Sequence, residues 1–169
     1  DFVYEVAPSY SGYPVLYTRR ADAPRFQTVD EWAGSPQSGA GYMDQVYVVD
    51  GTPEGFFQYV VFDLIGGQFY LFWHAQDRDV RIVATRERLE NLVDTYEDRM
   101  EPAEVARALS VDPTPVVVLG ADTVTVEVVT FTPWGGFDRR VYEIERLFPQ
   151  RILDVTSTSV GACDCGVTF

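Results

Sequence analysis

The chain has 169 residues and a formal net charge of −13 at pH 7, with 26 acidic side chains against 13 basic ones. A negative field of this size repels phosphates and anionic lipid headgroups, so nucleic-acid binding is disfavoured and basic partners are favoured. All the basic side chains are arginine, because the sequence contains no lysine. The absence of lysine excludes a Schiff base on a lysine side chain and the phosphate-binding loop that ends in Gly-Lys-Ser/Thr.

The composition predicts one packed domain over residues 1–169, since 46% of the residues are hydrophobic and 14% are aromatic. The single histidine, His74, rules out a metal site built from two or three histidines of one chain. No cofactor, metal site or catalytic residue is predicted. Because no apolar stretch reaches about 18 residues, the chain is not expected to span a membrane. It begins at Asp1, which favours an exported or organelle-imported mature chain.

The first quarter of the sequence predicts two short strands followed by an irregular arm. Extended runs occupy residues 3–6 and 14–18. Residues 21–44 are aperiodic and rich in turn-forming residues, with one helical turn predicted at 29–32 and Thr28 as its N-cap. Ordering such an arm is costly, so we expect a partner protein to cover it.

The centre of the chain predicts a β-hairpin. Residues 56–65 and 68–75 are aromatic and β-branched runs that Gly66 and Gly67 separate, and a Gly-Gly loop is typical of a tight hairpin turn. The resulting register places one wholly apolar set of side chains on the core face, namely Val60, Phe62, Leu64, Phe69, Leu71 and Trp73. Another strand is predicted at residues 80–84.

The opposite face of this hairpin is the predicted ligand-binding site, formed by Tyr59, Asp63, Tyr70 and His74. This face either lines a cleft or is a partly solvated sheet surface, and both interpretations stay open. Asp63 and His74 lie about 13 Å apart along the strands, so they do not form an Asp–His pair.

The next segment predicts two helices. Apolar residues recur at helical spacing over residues 86–99, and Thr85 is the expected N-cap. Pro102 suits the first turn of a second short helix that reaches Leu109. The apolar face of the longer helix comprises Leu89, Leu92, Val93, Tyr96 and Met100.

The last third predicts four strands, at residues 116–119, 123–132, 139–146 and 152–160. The order of strands, helices and strands indicates an α+β domain. We expect a mostly antiparallel curved sheet or barrel, with one amphipathic helix and a short second helix.

A partner-binding surface is predicted around the loop between the middle two of these strands. Trp134, Phe137, Arg139 and Arg140 are aromatic and arginine side chains, which dominate interface energetics. The alternative is that the two arginines lie on opposite sheet faces and form ordinary ion pairs. Cys163 and Cys165 are separated by one residue; we expect inert thiols, with a bond to a partner chain as the alternative.

These features favour a non-catalytic binding or assembly subunit that docks on a larger partner complex. One alternative is a β-barrel that binds a small apolar ligand. A carboxylate- or His-based hydrolase or lyase is the remaining alternative.

Overall fold

The computed structural model describes residues 2–8, 14–20, 22, 24–28, 31, 34, 48–66 and 80–164. The strands in these ranges are β1 (Phe2–Pro8), β2 (Pro14–Arg20), β3 (Arg81–Val83), β4 (Val116–Leu119), β5 (Thr123–Thr132), β6 (Gly136–Glu145) and β7 (Ile152–Gly161). The helices are α1 (Pro53–Gly66), α2 (Arg86–Tyr96) and α3 (Pro102–Leu109), and a 3-10 turn at Glu97–Arg99 follows α2.

The main sheet is antiparallel and is built around β5. One edge of β5 pairs with β4 along its first half and with β3 along its second half. The other edge pairs with β6 over its whole length, and β7 follows β6. β1 and β2 form a separate two-stranded antiparallel sheet. The predicted α+β class and antiparallel pairing are confirmed, whereas the sheet is open and the predicted barrel is not confirmed.

Helices cover both faces of this sheet. Val124, Val126 and Val128 of β5 pack with buried residues of α1. Val129 and Phe131 lie on the opposite face, where they pack with residues of α2 and α3. The two faces follow from the alternation of side chains along a strand. Two apolar clusters therefore form, one on each side of the sheet.

The predicted hairpin is wrong, because residues 53–66 form helix α1. Its beginning is specified locally: the backbone N–H of Gly55 donates to Thr52 Oγ1 over 3.0 Å, and Pro53 occupies the first helical position. The buried residues recur at intervals of three and four, as expected for a helix; they are Phe56, Tyr59, Val60 and Leu64. Phe62, which the hairpin register places in the core, is only half-buried.

The apolar character of α1 on nearly every side explains the error, since such a run lacks the alternation that separates helices from strands. The second predicted strand, at residues 68–75, lies outside the described residues. So do Gly67 and Trp73. The strand expected at residues 80–84 is present in a shorter form, β3.

The two predicted helices after β3 are confirmed. Thr85 caps α2 and accepts a hydrogen bond from the backbone N–H of Arg88 over 3.2 Å. The Arg86 guanidinium ties the beginning of α2 to the end of α3, since it donates to the carbonyls of Leu109 (2.8 Å) and Val111 (2.6 Å).

Two further expectations concern the arm at residues 21–44 and the two cysteines. Most of the predicted arm at 21–44 lies outside the described residues, although the backbone N–H of Glu31 donates to Thr28 Oγ1 over 3.2 Å, as an N-cap requires. Cys163 is buried and disulfide-bonded, so the expectation of an inert thiol is wrong for this residue. The only other cysteine of the sequence, Cys165, lies beyond the described part.

Candidate functional site

The predicted ligand-binding residues are not brought together as a strand face. Tyr59 and Asp63 lie one turn apart on α1 because that segment is helical. Tyr59 is buried against the sheet, whereas Asp63 is exposed. Tyr70 and His74 lie outside the described residues. The structure therefore replaces the hairpin face with a helix–sheet contact.

Asp63 contacts the sheet through Tyr142 of β6. The Tyr142 hydroxyl donates to Asp63 Oδ2 over 3.3 Å, and the tyrosine itself is only 1% exposed. Burial raises the pKa of Tyr142 to about 12, and the negative charge of Asp63 adds to this effect, while Arg140 acts in the opposite direction. Tyr142 thus keeps its proton at neutral pH, so it serves as a hydrogen-bond donor between β6 and α1.

Arg139 and Arg140 project to opposite faces of the sheet. Arg140 shares the α1 face with Tyr142, two residues further along β6. Arg139 lies on the other face and forms an ion pair with Glu127, with 3.2 Å between Nε and Oε1. The contact lacks hydrogen-bond geometry, since Arg139 Nε has no such partner. The split onto two faces and the Arg139–Glu127 ion pair match the alternative of ordinary ion pairs for Arg139, whereas Arg140 lies beside Tyr142, whose pKa it lowers.

The two aromatic residues of the predicted partner surface differ in their exposure. Phe137 is fully buried and packs against Phe131, with ring centroids 4.8 Å apart, so its side chain is not available at the surface. Trp134 is half-buried in the turn between β5 and β6. Its Nε1 is a buried donor without a hydrogen-bond partner. Trp134 is therefore the one aromatic of this pair that still borders solvent.

A different pair of apolar residues forms the most exposed apolar site in the described ranges. Leu147 is 77% exposed and Phe148 is 57% exposed, at the tip of the loop between β6 and β7. We call residues 147 and 148 the apolar tip. The sequence carries a signal for it, since two large apolar residues stand between arginines inside a loop flanked by strands.

The loop that carries the apolar tip is held at both ends. Arg151 donates from Nε to Glu145 Oε2 over 3.0 Å and from Nη2 to Glu145 Oε1 over 2.7 Å. This contact lowers the pKa of Glu145 below its usual range. On the other side, Arg146 donates from its backbone N–H to the Asp122 carbonyl (2.9 Å) and from its side chain to the Gly120 carbonyl.

Gln150 anchors the same loop to the segment before α1. Its side-chain amide accepts from the backbone N–H of Val49 and donates to the Val49 carbonyl, both over 3.4 Å. Gln150 is buried, and its backbone N–H also donates to the Leu147 carbonyl over 2.9 Å. These bonds fix the loop while the two apolar side chains remain in solvent.

The outer strand β7 forms a second unusual surface. Its residues 153–159 are all exposed, and among the described strands it pairs only with β6. Asp154 stands directly opposite Glu143 of β6, and both side chains are exposed. Like charges directly opposite each other on a sheet are destabilising. This pair therefore needs an explanation other than stability.

The described ranges contain no group of three or more His, Cys, Asp or Glu side chains that could hold a metal ion. Over the same ranges, every helix is too short or too polar to cross a bilayer.

No protein-family model, curated protein or solved structure matches the chain. The fold itself defines an α+β protein whose open antiparallel sheet carries helices on both faces. Its function has to follow from the residues that this fold presents to solvent.

Proposed function

We propose that this protein is a non-catalytic binding subunit that docks on a larger partner protein through the apolar tip. The observation that carries the proposal is the exposure of Leu147 and Phe148, at 77% and 57%, on a loop that side-chain and backbone hydrogen bonds hold in place. When a partner buries a large apolar side chain that was in water, the complex is stabilised by about 1.5–3 kcal/mol for each such side chain.

The rigidity of the loop adds to this argument. Binding by a mobile loop loses conformational entropy, about 1–2 kcal/mol for each ordered residue. Here the contacts of Arg146, Gln150 and Arg151 have already ordered the loop, so a partner would not bear that cost. Val48, which is also exposed, directly precedes Val49, whose backbone Gln150 binds.

The two alternatives lack comparable support. The ligand-binding barrel depended on the face of a hairpin whose first strand is helix α1, and the sheet is open. The hydrolase or lyase depended on His74 close to a carboxylate, and His74 lies outside the described residues. No described contact favours either function.

The proposal is tested by replacing both tip residues with serine, as Leu147→Ser and Phe148→Ser in one variant. Leu109→Ser is the matched control: Leu109 is also exposed, but it lies at the end of α3, which packs beside Gly161 at the opposite end of β7. A partner is first recovered from an extract of the native source with the wild-type protein. The affinity of each variant for that partner is then measured by calorimetry.

We expect the double variant to bind at least about tenfold more weakly, because truncating a central anchor commonly costs 2 kcal/mol or more. The control should bind as the wild type does, and the melting temperatures of all three proteins should agree. Unchanged binding by the double variant would overturn the proposal. So would light scattering that shows only a monomer after gentle isolation, with no partner present.

A further inference from the structure

We propose that the free edge of β7 accepts an extended basic segment of the partner as an additional strand, an inference that rests on the proposed docking function. The segment would place an arginine beside Asp154, where its side chain reaches both Asp154 and Glu143. Strand addition of this kind draws affinity from backbone hydrogen bonds and specificity from alternate side chains.

The edge has the geometry that strand addition requires. Between two irregularities in register, Asp154–Ser159 pairs in unbroken register with Asp138–Glu143 of β6. In such a strand, half of the backbone N–H and C=O groups point away from the existing partner. On β7 no other described strand pairs with these groups, and residues 153–159 are exposed.

Between its two register irregularities, the edge also lacks the lysines and prolines that often block strand addition. Natural edge strands carry lysines, prolines or inward-pointing charges that prevent pairing with another chain. β7 reads Ile-Leu-Asp-Val-Thr-Ser-Thr-Ser-Val-Gly and contains one charged residue, Asp154. Its β-branched residues suit a pleated surface, and those within the regular stretch are Val155, Thr156 and Thr158.

The charge of this surface indicates the kind of segment that fits. Glu143 and Asp154 repel each other, and neither forms an ion pair within the described part of the chain. The arginine nearest to them on this sheet face, Arg139, already contacts Glu127. A residue placed directly beside Asp154 on an added strand would lie on the same face, with Cβ atoms about 5 Å apart. Arginine has the length and the forked donors to contact two carboxylates at once.

A second copy of this chain fits the site less well. Its own β7 contains no basic residue that could neutralise the pair, and each copy carries a net charge of −13. The position next to the arginine would face Val155, which is 42% exposed, so an apolar β-branched residue is expected there. The predicted recognition element is thus an arginine beside valine or isoleucine in an extended segment.

The probe is a short blocked peptide in which threonine and valine alternate around one central arginine, with a second peptide that carries glutamate in place of arginine. Binding is followed by NMR through the backbone amides of the full chain. Asp154→Lys is the test variant, because lysine can pair with Glu143 and compete with the peptide. Asp98→Lys makes the same change of charge on the exposed turn after α2 and serves as its control.

We expect the arginine peptide to shift amides of Asp154–Ser159. The Asp154→Lys variant should bind the arginine peptide at least about tenfold more weakly than the wild type, and the wild type should bind the glutamate peptide more weakly by a similar factor. The Asp98→Lys variant should bind the arginine peptide as the wild type does. The double variant Glu143→Gln, Asp154→Asn should weaken binding of the arginine peptide as well, without adding a positive charge. Shifts confined to other residues, no binding up to the solubility of the peptide, or unchanged affinity in Asp154→Lys would each overturn the inference.

The two proposals fail separately. The variant with Leu147→Ser and Phe148→Ser should bind the peptide as the wild type does, because it leaves β7 intact. If the peptide fails while the apolar tip still governs partner docking, the strand-addition site alone is wrong. If the tip variants dock normally on the partner, the proposed function is wrong whatever the peptide does.

Discussion

The Tyr142 hydroxyl reaches Asp63 Oδ2 over 3.3 Å and so connects the centre of the sheet to helix α1 by a hydrogen bond. Tyr142 is buried, whereas Asp63 belongs to an exposed position of the helix. The bond satisfies the hydroxyl of a side chain that is only 1% exposed. The carboxylate keeps access to solvent, so the pair carries little of the desolvation cost of a buried charge.

The wild-type protein should lose stability in strong alkali, and Tyr142→Phe should abolish this loss. The pKa of Tyr142 is raised to about 12 by burial and by Asp63, so the folded state holds this proton more tightly than the unfolded state. The stabilising effect is complete below pH 10 and is lost as the pH rises through 12. The loss should amount to roughly 2–3 kcal/mol. Urea unfolding between pH 8 and pH 12 measures it.

The control for this experiment is Tyr96→Phe, which removes the hydroxyl of a partly buried tyrosine that packs against the other apolar cluster. At pH 7 the Tyr142→Phe variant should lose only about 0.5–1.5 kcal/mol, the usual net value of one hydrogen bond. If the wild type and Tyr142→Phe lose the same free energy of unfolding between pH 10 and pH 12, the raised pKa is refuted.

Gly136→Ala should destabilise the protein much more than Gly51→Ala. Both glycines have positive φ angles, +83° and +81°. A Cβ at Gly136 would lie 2.2 Å from the Gly161 carbonyl oxygen, whereas one at Gly51 would meet nothing within 4 Å. Gly51→Ala should therefore cost about 1–2 kcal/mol from backbone strain alone. Gly136→Ala should cost a further 1–3 kcal/mol or so, because backbone must shift.

Chemical denaturation of the two glycine variants supplies this comparison directly. Equal losses would mean that the β5–β6 turn does not approach Gly161 as closely as the structure shows.

Thr85→Ala should destabilise the protein by about 1 kcal/mol. The Thr85 hydroxyl accepts the hydrogen bond of the Arg88 N–H at the beginning of α2, and alanine leaves that donor without a partner. Thr95→Ala is the control on the same helix: its hydroxyl donates to the Asn91 carbonyl, and alanine improves helix propensity. In thermal unfolding, only Thr85→Ala should have a lower melting midpoint than the wild type. A drop of similar size in Thr95→Ala would contradict the capping role.

Gln150→Ala should loosen the loop that carries the apolar tip. It leaves the backbone N–H and the carbonyl of Val49 without their side-chain partner, at a cost of about 1–3 kcal/mol. Hydrogen exchange at the Val49 amide should accelerate accordingly. Gln58→Ala, which removes an exposed amide that contacts Glu54 on α1, should stay within about 0.5 kcal/mol of the wild type. Unchanged exchange at Val49 would show that Gln150 does not anchor the loop.

Local sequence was sufficient for α2, α3 and most of the sheet. Thr85 is followed by apolar residues at helical spacing, and Pro102 opens the next helix, so cap and periodicity indicate the same structure. The alternation in β5 likewise predicted a strand with the bounds that are observed, Thr123–Thr132. Where two independent local signals agree, tertiary contacts have little left to decide.

For helix α1, a hairpin signal in the sequence was given more weight than a helix-capping signal that proved correct. Thr52 and Pro53 form a helix beginning, yet the Gly66-Gly67 pair and the aromatic, β-branched composition were taken as a hairpin. A run that is apolar on nearly every side has no clear period that distinguishes a helix from a strand. Its conformation is settled by what covers it, here the α1 face of the sheet.

The candidate site depended on tertiary structure more than the fold did. By itself the sequence determined the charge of the chain, the cap and period of α2, and the alternation of β5 to β7. It could not determine that Phe137 is buried while Leu147 and Phe148 are exposed, since all three are apolar residues in or near strand–strand loops. Nor could it place Asp154 opposite Glu143. Exposure and cross-strand register depend on which distant segments meet, and only the packed chain settles that.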